Sequence, residues 1–253
     1  MKSVIVFAAQ KFLGFELCKY LVEKGYSVHG LDEDIEENRW LEIGRNANAT
    51  YSPYSGVLDK NQPEHIVFSF YDCDSVQIKL LSQQLKDVST IRGVHFHCLF
   101  PTHLLSERFE VEWLQLNRTL QDLKTENKVS TIYLPTIFGP KQPEKYLYAY
   151  LMRADKADIK KKLFFDDPSD VLWIEDVIKA IEANFETECN CLYASFEEGR
   201  WEKGLKMLST EAIASDTPLF IRSHIEEKVQ IKQSIALQKG LELQRQSYKN
   251  DKK

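Results

Sequence analysis

The chain has 253 residues, 43% of them hydrophobic, and a formal net charge of −5 at pH 7. This length fits one large α/β domain or a domain with a small appendage. The acidic balance argues against a nucleic-acid partner, and no run approaches the roughly 18 apolar residues that would cross a membrane.

Cysteine usage indicates a reducing compartment. The five cysteines are odd in number and contain no C-x-x-C pair, so a disulfide framework is not indicated. We therefore predict a cytoplasmic protein.

Strand-like runs alternate with helical patterns along the first 140 residues. The predicted strands are SVIVFAA (3–9), SVHGLD (27–32), NATYSPY (48–54), HIVFSFY (65–71), GVHFHCLF (93–100) and VSTIYLP (129–135). The predicted helices are Phe15–Lys24, 36–45, 75–88 and 106–127. NATYSPY is expected at a sheet edge, because Pro53 has no N–H for a ladder.

This β-α-β-α order predicts an α/β fold, a Rossmann-like doubly wound parallel sheet with right-handed crossovers. The sheet is expected over residues 1–185, with residues 186–253 forming a small, mainly helical C-terminal lobe and tail. Residues 224–253 are polar with spaced apolar positions. They predict a surface helix folded back on the domain or a helical segment for a partner or a second copy.

Three ordered motifs together resemble the extended short-chain dehydrogenase/reductase superfamily, of the NAD-dependent epimerase/dehydratase type. They are FAAQKFLGFELCKYLVEKGYSVHGLD (7–32), TIYLPTIFGP (131–140) and DVLWIEDVIKAI (170–181). The resemblance covers roughly residues 1–185 and implies a Rossmann fold with an NAD site at the first strand-to-helix turn.

That turn departs from the family pattern. Ala8 and Lys11 stand where the family has its first two glycines, and only Gly14 keeps the third. Glycines there allow a tight bend and a close approach of the backbone to the pyrophosphate. Lys11 is interpreted either as a phosphate contact or as a solvated turn residue, whereas Gly14 is expected to serve helix packing.

Asp32 ends the second strand, where the resemblance implies an acid that binds the ribose hydroxyls of NAD. It fits equally well as a helix N-cap in the acidic run DEDIEEN. The candidate cofactor residues are therefore Ala8, Lys11, Gly14 and Asp32, and NAD binding is predicted to be weak or absent. Phe68, Phe70 and Tyr71 are interpreted as rings that crowd the adenosine groove or as plain core.

The resemblance also implies a Ser or Thr and a tyrosine followed four residues later by a lysine, which lowers the phenol pKa. Alignment with the family places Leu104 at the tyrosine and Arg108 at the lysine. No catalytic residue is predicted at the family's positions. Thr102 and Tyr146 are the remaining candidates for an acid/base role.

Histidines form one further group. His95 and His97 alternate on one face of a predicted strand, and His103 follows in the next loop. No metal site is predicted, because the sequence places no third and fourth ligand.

Three functions remain open. The first is a non-catalytic Rossmann-like protein that binds or regulates, and the second is a working NAD-dependent epimerase, dehydratase or reductase with a relocated acid/base residue. The third is a sugar- or metabolite-binding protein without a dinucleotide. The expected partners are a small molecule or a protein, including a homodimer, with no nucleic acid and no membrane.

Overall fold

The structure is a computed structural model. It describes residues 2–33, 37–43, 46–56, 58, 63–106, 109–153, 164–209, 225 and 227–250, without the side chains of 37 and 38. Arg108 lies outside this part of the chain. Within it, none of the helices is long and apolar enough to span a membrane.

Eight strands form the central sheet, in the order β10-β9-β6-β5-β4-β1-β2-β3. They are β1 (Ser3–Phe7), β2 (Ser27–Asp32), β3 (Ala49–Pro53), β4 (His65–Ser69), β5 (His95–Pro101), β6 (Lys128–Leu134), β9 (Asn190–Ser195) and β10 (Glu227–Ile231). Two short strands, β7 (Thr136–Phe138) and β8 (Val171–Trp173), pair separately in parallel. The predicted doubly wound parallel sheet is confirmed, and β3 with Pro53 lies at its edge.

Helices connect the strands and follow the expected alternation. They are α1 (Phe12–Glu23), α2 (Glu37–Trp40), α3 (Ser75–Val88), α4 (Glu110–Lys124), α5 (Leu147–Arg153), α6 (Ile174–Ala183), α7 (Arg200–Leu208) and α8 (Leu237–Asn250). The Asp74 side chain accepts the N–H groups of Val76 and Gln77 and so caps the start of α3. Such a cap satisfies N–H groups that have no partner inside the helix.

The chain divides into two compact units. The first contains Met1–Phe100, Arg108–Ile132 and Ile181–Asn190. Its core includes the stacked rings of Phe7 and Phe68, whose centroids are 4.1 Å apart. Strands β1 and β4, which carry these rings, are almost entirely buried, as the continuous apolar runs predict.

The second unit contains Pro101–Glu107, Tyr133–Ala180 and Cys191–Lys253. Helices α5 and α7 of this unit pack closely at Gly204, which has no side chain. A Cβ on Gly204 would lie 2.1 Å from the Tyr148 hydroxyl, which donates a hydrogen bond to the Trp201 carbonyl. In the same unit, the Gln244 amide donates to both Gln142 and Tyr248.

Several elements differ from the sequence prediction. Helix α1 begins at Phe12 rather than Phe15, and α4 begins at Glu110, after a 3₁₀ helix at Thr102–Leu105. The predicted C-terminal helix is wrong for Glu227–Ile231, which pairs in parallel with β9 as strand β10. Val229 and Ile231 alternate along this segment, as is typical of strands. The open edge of β9 supplies the backbone hydrogen-bond partners that make it a strand.

Candidate functional site

The turn after β1 keeps the backbone shape of a glycine turn although its first glycine is missing. Ala8 has a φ of 56°, in the left-handed region that costs an L-residue roughly 1–2 kcal/mol. The Lys11 N–H donates to the Ala8 carbonyl at 3.1 Å. A Cβ on Gly14 would lie 2.2 Å from that same carbonyl oxygen, so the contact between α1 and the turn admits only glycine.

Asp32 holds the turn from the neighbouring strand. Its carboxylate accepts the Gln10 N–H at 2.9 Å and the Glu33 N–H at 2.9 Å. Burial raises the pKa of Asp32, and these two hydrogen bonds and the positive charge of Lys11 oppose the rise. The residue therefore binds the protein's own backbone in the structure.

Asp72 occupies the start of helix α1. Its Oδ2 atom accepts the Phe12 N–H at 2.7 Å in a buried hydrogen bond, and the side chain is only 4% exposed. Phe12 is the first residue of α1, so this N–H is one of the donors that a bound pyrophosphate uses in a dinucleotide-binding turn. In this structure a protein carboxylate accepts the first N–H of the helix.

A small cavity lies beside the turn among the described residues. It is lined by Ala8, Lys11, Asp32 and Cys73, among others, and has a volume of about 10 Å³, which is room for about one water molecule.

The aromatic side chains after β4 belong to the core. Phe68 and Phe70 are 0% exposed and Tyr71 is 1% exposed. Phe70 stacks on Phe100 with centroids 5.0 Å apart. Their burial fits the second of the two interpretations, in which they are core residues.

The candidate acid/base residues lie in the second unit and are buried. The Thr102 hydroxyl donates to Asp167 Oδ2 at 2.6 Å, and the Asp167 N–H donates to the Thr136 hydroxyl at 2.7 Å. Leu104 and Tyr146 are both 0% exposed. Thr102 therefore satisfies a buried carboxylate, which is a structural role it fills without any ligand.

Two residues that the sequence analysis did not single out have prominent positions. Asp72 follows a buried strand in the run FSFYDCD, and its place at the carboxyl end of β4 was the available signal. His65 begins β4 and lies in register with His95 of β5. The structure therefore brings a third histidine to the two that were noticed, whereas His103 lies in the other unit.

No family model matches the chain, and no curated protein does so either. Solved structures match over almost the whole chain. One is dTDP-glucose 4,6-dehydratase from Bacillus anthracis in complex with NAD, at a TM-score of 0.72 and 13% identity, covering 99% of this chain and 97% of the other. Another is UDP-glucose 4-epimerase from Thermotoga maritima with UDP-glucose, at 0.68 and 14% identity, covering 99% and 100%.

A third is a putative epimerase from Burkholderia cenocepacia, at a TM-score of 0.67 and 14% identity, covering 98% of each chain. The chain therefore has the fold of the NAD-dependent epimerases and dehydratases, and the resemblance seen in the three sequence motifs is confirmed at the level of the fold.

Proposed function

We propose that this chain is a non-catalytic binding or regulatory protein built on the fold of an NAD-dependent epimerase or dehydratase. The observation that carries the proposal is the buried hydrogen bond from the Phe12 N–H to Asp72. The anion position at the start of α1 already holds a carboxylate, so the turn is complete without a dinucleotide.

Electrostatics support the same conclusion. A pyrophosphate at this helix start would lie beside the Asp72 carboxylate, in a part of the protein that excludes water. Like charges a few Å apart in such surroundings repel by several kcal/mol at an effective dielectric constant of about 20. The helix dipole favours one anion at this position, and that anion is Asp72.

The acid/base positions also support a non-catalytic role. The family reaction requires a phenol and an amine, and the alignment places Leu104 and Arg108 at their positions. A buried leucine transfers no proton, and general acid–base help is worth about 10²–10⁴-fold in rate. Arg108 stays charged at neutral pH and does not replace a lysine of tunable pKa.

Titration with NAD, NADH and NADPH by calorimetry and fluorescence tests the binding part. We expect no saturation below millimolar dinucleotide for the natural sequence. Asp72→Asn removes the charge and keeps an oxygen for the Phe12 N–H. Combined with Ala8→Gly and Lys11→Gly, it should produce measurable NAD binding.

Asp74→Asn is the matched control. It removes one negative charge two residues along the chain, from a side chain that caps α3 at the surface. It should leave dinucleotide binding absent in the same background. Sub-micromolar NAD binding by the natural sequence would refute the proposal directly.

Nicotinamide absorbance across a panel of nucleotide sugars and small carbonyl compounds tests the catalytic part. We expect turnover at background. The alternative is an active NAD-dependent epimerase, dehydratase or reductase with a relocated acid/base residue. Robust turnover that is lost in Thr102→Ala or Tyr146→Phe, and retained in Leu104→Ala, would establish that alternative.

The proposal includes a cytoplasmic location and a protein or small-molecule partner. No disulfide joins any of the five cysteines, all of which lie in the described part of the chain, and burial raises the pKa of the Cys98 thiol to about 12.

Light scattering at several protein concentrations tests for a homodimer. Exposed apolar pairs on α3 (Val76, Leu80) and α4 (Val111, Leu114) support one.

A further inference from the structure

Three histidine side chains meet at the amino ends of strands β4 and β5, inside the first unit. His65 and His95 are register partners, and His97 follows two residues along β5 on the same face. One ring nitrogen of each residue lies within 4.8 Å of those of the other two. His65, His95 and His97 are 3%, 6% and 0% exposed.

Their spacing suits a common ligand. His65 Nδ1 and His97 Nε2 are 3.2 Å apart. Two nitrogens bound to one tetrahedral zinc ion at about 2.0–2.1 Å are separated by about 3.3–3.4 Å. Phe185 stacks against both rings, with centroids 4.7 and 4.6 Å away, and so holds them in place.

A neighbouring hydroxyl orients the third imidazole. Ser130 Oγ lies 3.0 Å from His95 Nε2 and donates its own proton to the Thr187 carbonyl at 2.9 Å. His95 Nε2 is therefore the donor of that pair, so a metal ion would bind at Nδ1, and the ring also makes a hydrogen bond to the Phe185 backbone. An outer hydrogen bond of this kind is typical of histidines that bind metals.

The second nitrogen of the His97 ring lies in the core. His97 Nδ1 is buried and has no hydrogen-bond partner among the described residues. An ion bound at His97 Nε2 leaves the proton of the neutral ring on Nδ1.

A surface pocket leads to the cluster. It has a volume of about 550 Å³ and is lined by His65, His95, Lys128, Glu64 and Glu186, among others. Its lining carries both signs of charge, with Glu64, Glu126 and Glu186 beside Lys124 and Lys128, and Glu186 is paired with Lys2. The pocket therefore offers a path from solvent to the cluster.

We propose that His65, His95 and His97 form a binding site for one divalent transition-metal ion, with Zn²⁺ as the best match. Imidazole ligands suit zinc, copper, nickel and iron, and not calcium or magnesium. Three protein ligands leave a fourth position of a tetrahedral ion for water or an anionic group. This arrangement is that of zinc sites that exchange a ligand rather than of closed structural sites.

The experiment uses the full chain, treated with a chelator and titrated with Zn²⁺ by calorimetry. Co²⁺ is titrated in parallel, because its visible absorption reports tetrahedral coordination. We expect one ion per chain with a Kd in the micromolar range or below, and a raised unfolding midpoint on binding. Ser130→Ala should weaken binding about 10-fold, the lower limit for loss of an outer hydrogen bond.

His65→Gln and His97→Gln should each weaken binding about 100-fold or more. The matched control is His29→Gln, on β2 of the same unit, where the ring is half-buried and bonds to Ser52. Circular dichroism verifies folding. If His97→Gln does not fold, the metal-site proposal is tested by His65→Gln alone, because the side chain of His65 lines the pocket.

The proposal is overturned if the natural chain binds no Zn²⁺ at 100 μM, or if His65→Gln binds as tightly as the natural chain. Its outcome is independent of the proposed function, because the cluster lies at the opposite end of β4 from Asp72 and the titration contains no dinucleotide.

Discussion

At the scale of single residues, Asp72 explains how an altered glycine turn stays folded. Helix starts carry N–H groups that need an acceptor. Asp72 supplies one at 2.7 Å from the Phe12 nitrogen. Asp72 therefore stabilises the start of α1.

Asp72→Ala should lower the free energy of unfolding by about 1–3 kcal/mol, because the Phe12 N–H would remain buried without an acceptor. Asp72→Asn should cost less, because it retains an oxygen. Urea denaturation at pH 7 measures both. Asp74→Ala, which removes the exposed cap of α3, should cost about 1 kcal/mol and calibrates the comparison. An Asp72→Ala protein as stable as the natural one would contradict this role.

The buried histidines predict a pH dependence of stability. Burial lowers the pKa of His65, His95 and His97 in the folded state, against weaker opposing charges of Glu64, Glu186 and Glu188 and with help from Lys2 and Lys128. The unfolded chain then binds more protons as the pH falls below about 6.5. Metal-free protein should therefore lose stability on acidification from pH 7, by about 1.4 kcal/mol per pH unit for each extra proton.

Urea denaturation between pH 5 and 8 tests this, with His97→Gln and His29→Gln compared with the natural chain. Only His97→Gln should flatten the profile. Asp166 must be considered, because burial raises its pKa to about 6. A raised carboxyl pKa stabilises the fold at low pH and its contribution is lost as the pH rises through about 6, which is the opposite slope. If the pH dependence of stability in His97→Gln equals that of the natural chain, the buried histidines are not its cause.

At the scale of elements, helix α1 is fixed at both ends by glycine for two different reasons. Gly14 permits contact with the Ala8 carbonyl, whereas Gly25 follows the helix with a φ of +85° and no atom within 4 Å of an added Cβ. One position is limited by space and the other by backbone conformation.

Gly14→Ala should destabilise the protein by about 3 kcal/mol, since the added methyl overlaps backbone that cannot move without opening the turn. Gly25→Ala should cost about 1 kcal/mol, the penalty for a left-handed alanine. Thermal and urea unfolding of both variants measures these losses of stability. Equal costs would show that the turn relaxes around the new side chain.

At the scale of the whole molecule, the central sheet runs from buried middle strands to exposed edges. Strands β4 and β5 are buried along their full length, whereas β3 and β10 are partly exposed. Edge strands pair on one side only, so their backbone groups open more easily.

Hydrogen exchange followed by mass spectrometry should show slow exchange for β4 and β5 and much faster exchange for β3 and β10. Peptides from β1, which pairs with β2 and β4, serve as the internal reference for protected strands. Exchange of β10 as slow as that of β1 would indicate that a partner or a second copy covers this edge.

The sequence by itself determined the order of strands and helices as far as β6, the parallel sheet and the resemblance to the epimerase/dehydratase fold. These features depend on local patterns, such as the buried run HIVFSFY, the glycine at position 14 and the motif DVLWIEDVIKAI. Only the tertiary structure decided that Asp72 reaches Phe12 across 60 positions, that His65 joins His95 and His97, and that Glu227–Ile231 becomes a strand. Each of these three features depends on contacts between segments that are far apart in the chain. The spacing of neighbouring residues does not encode such contacts.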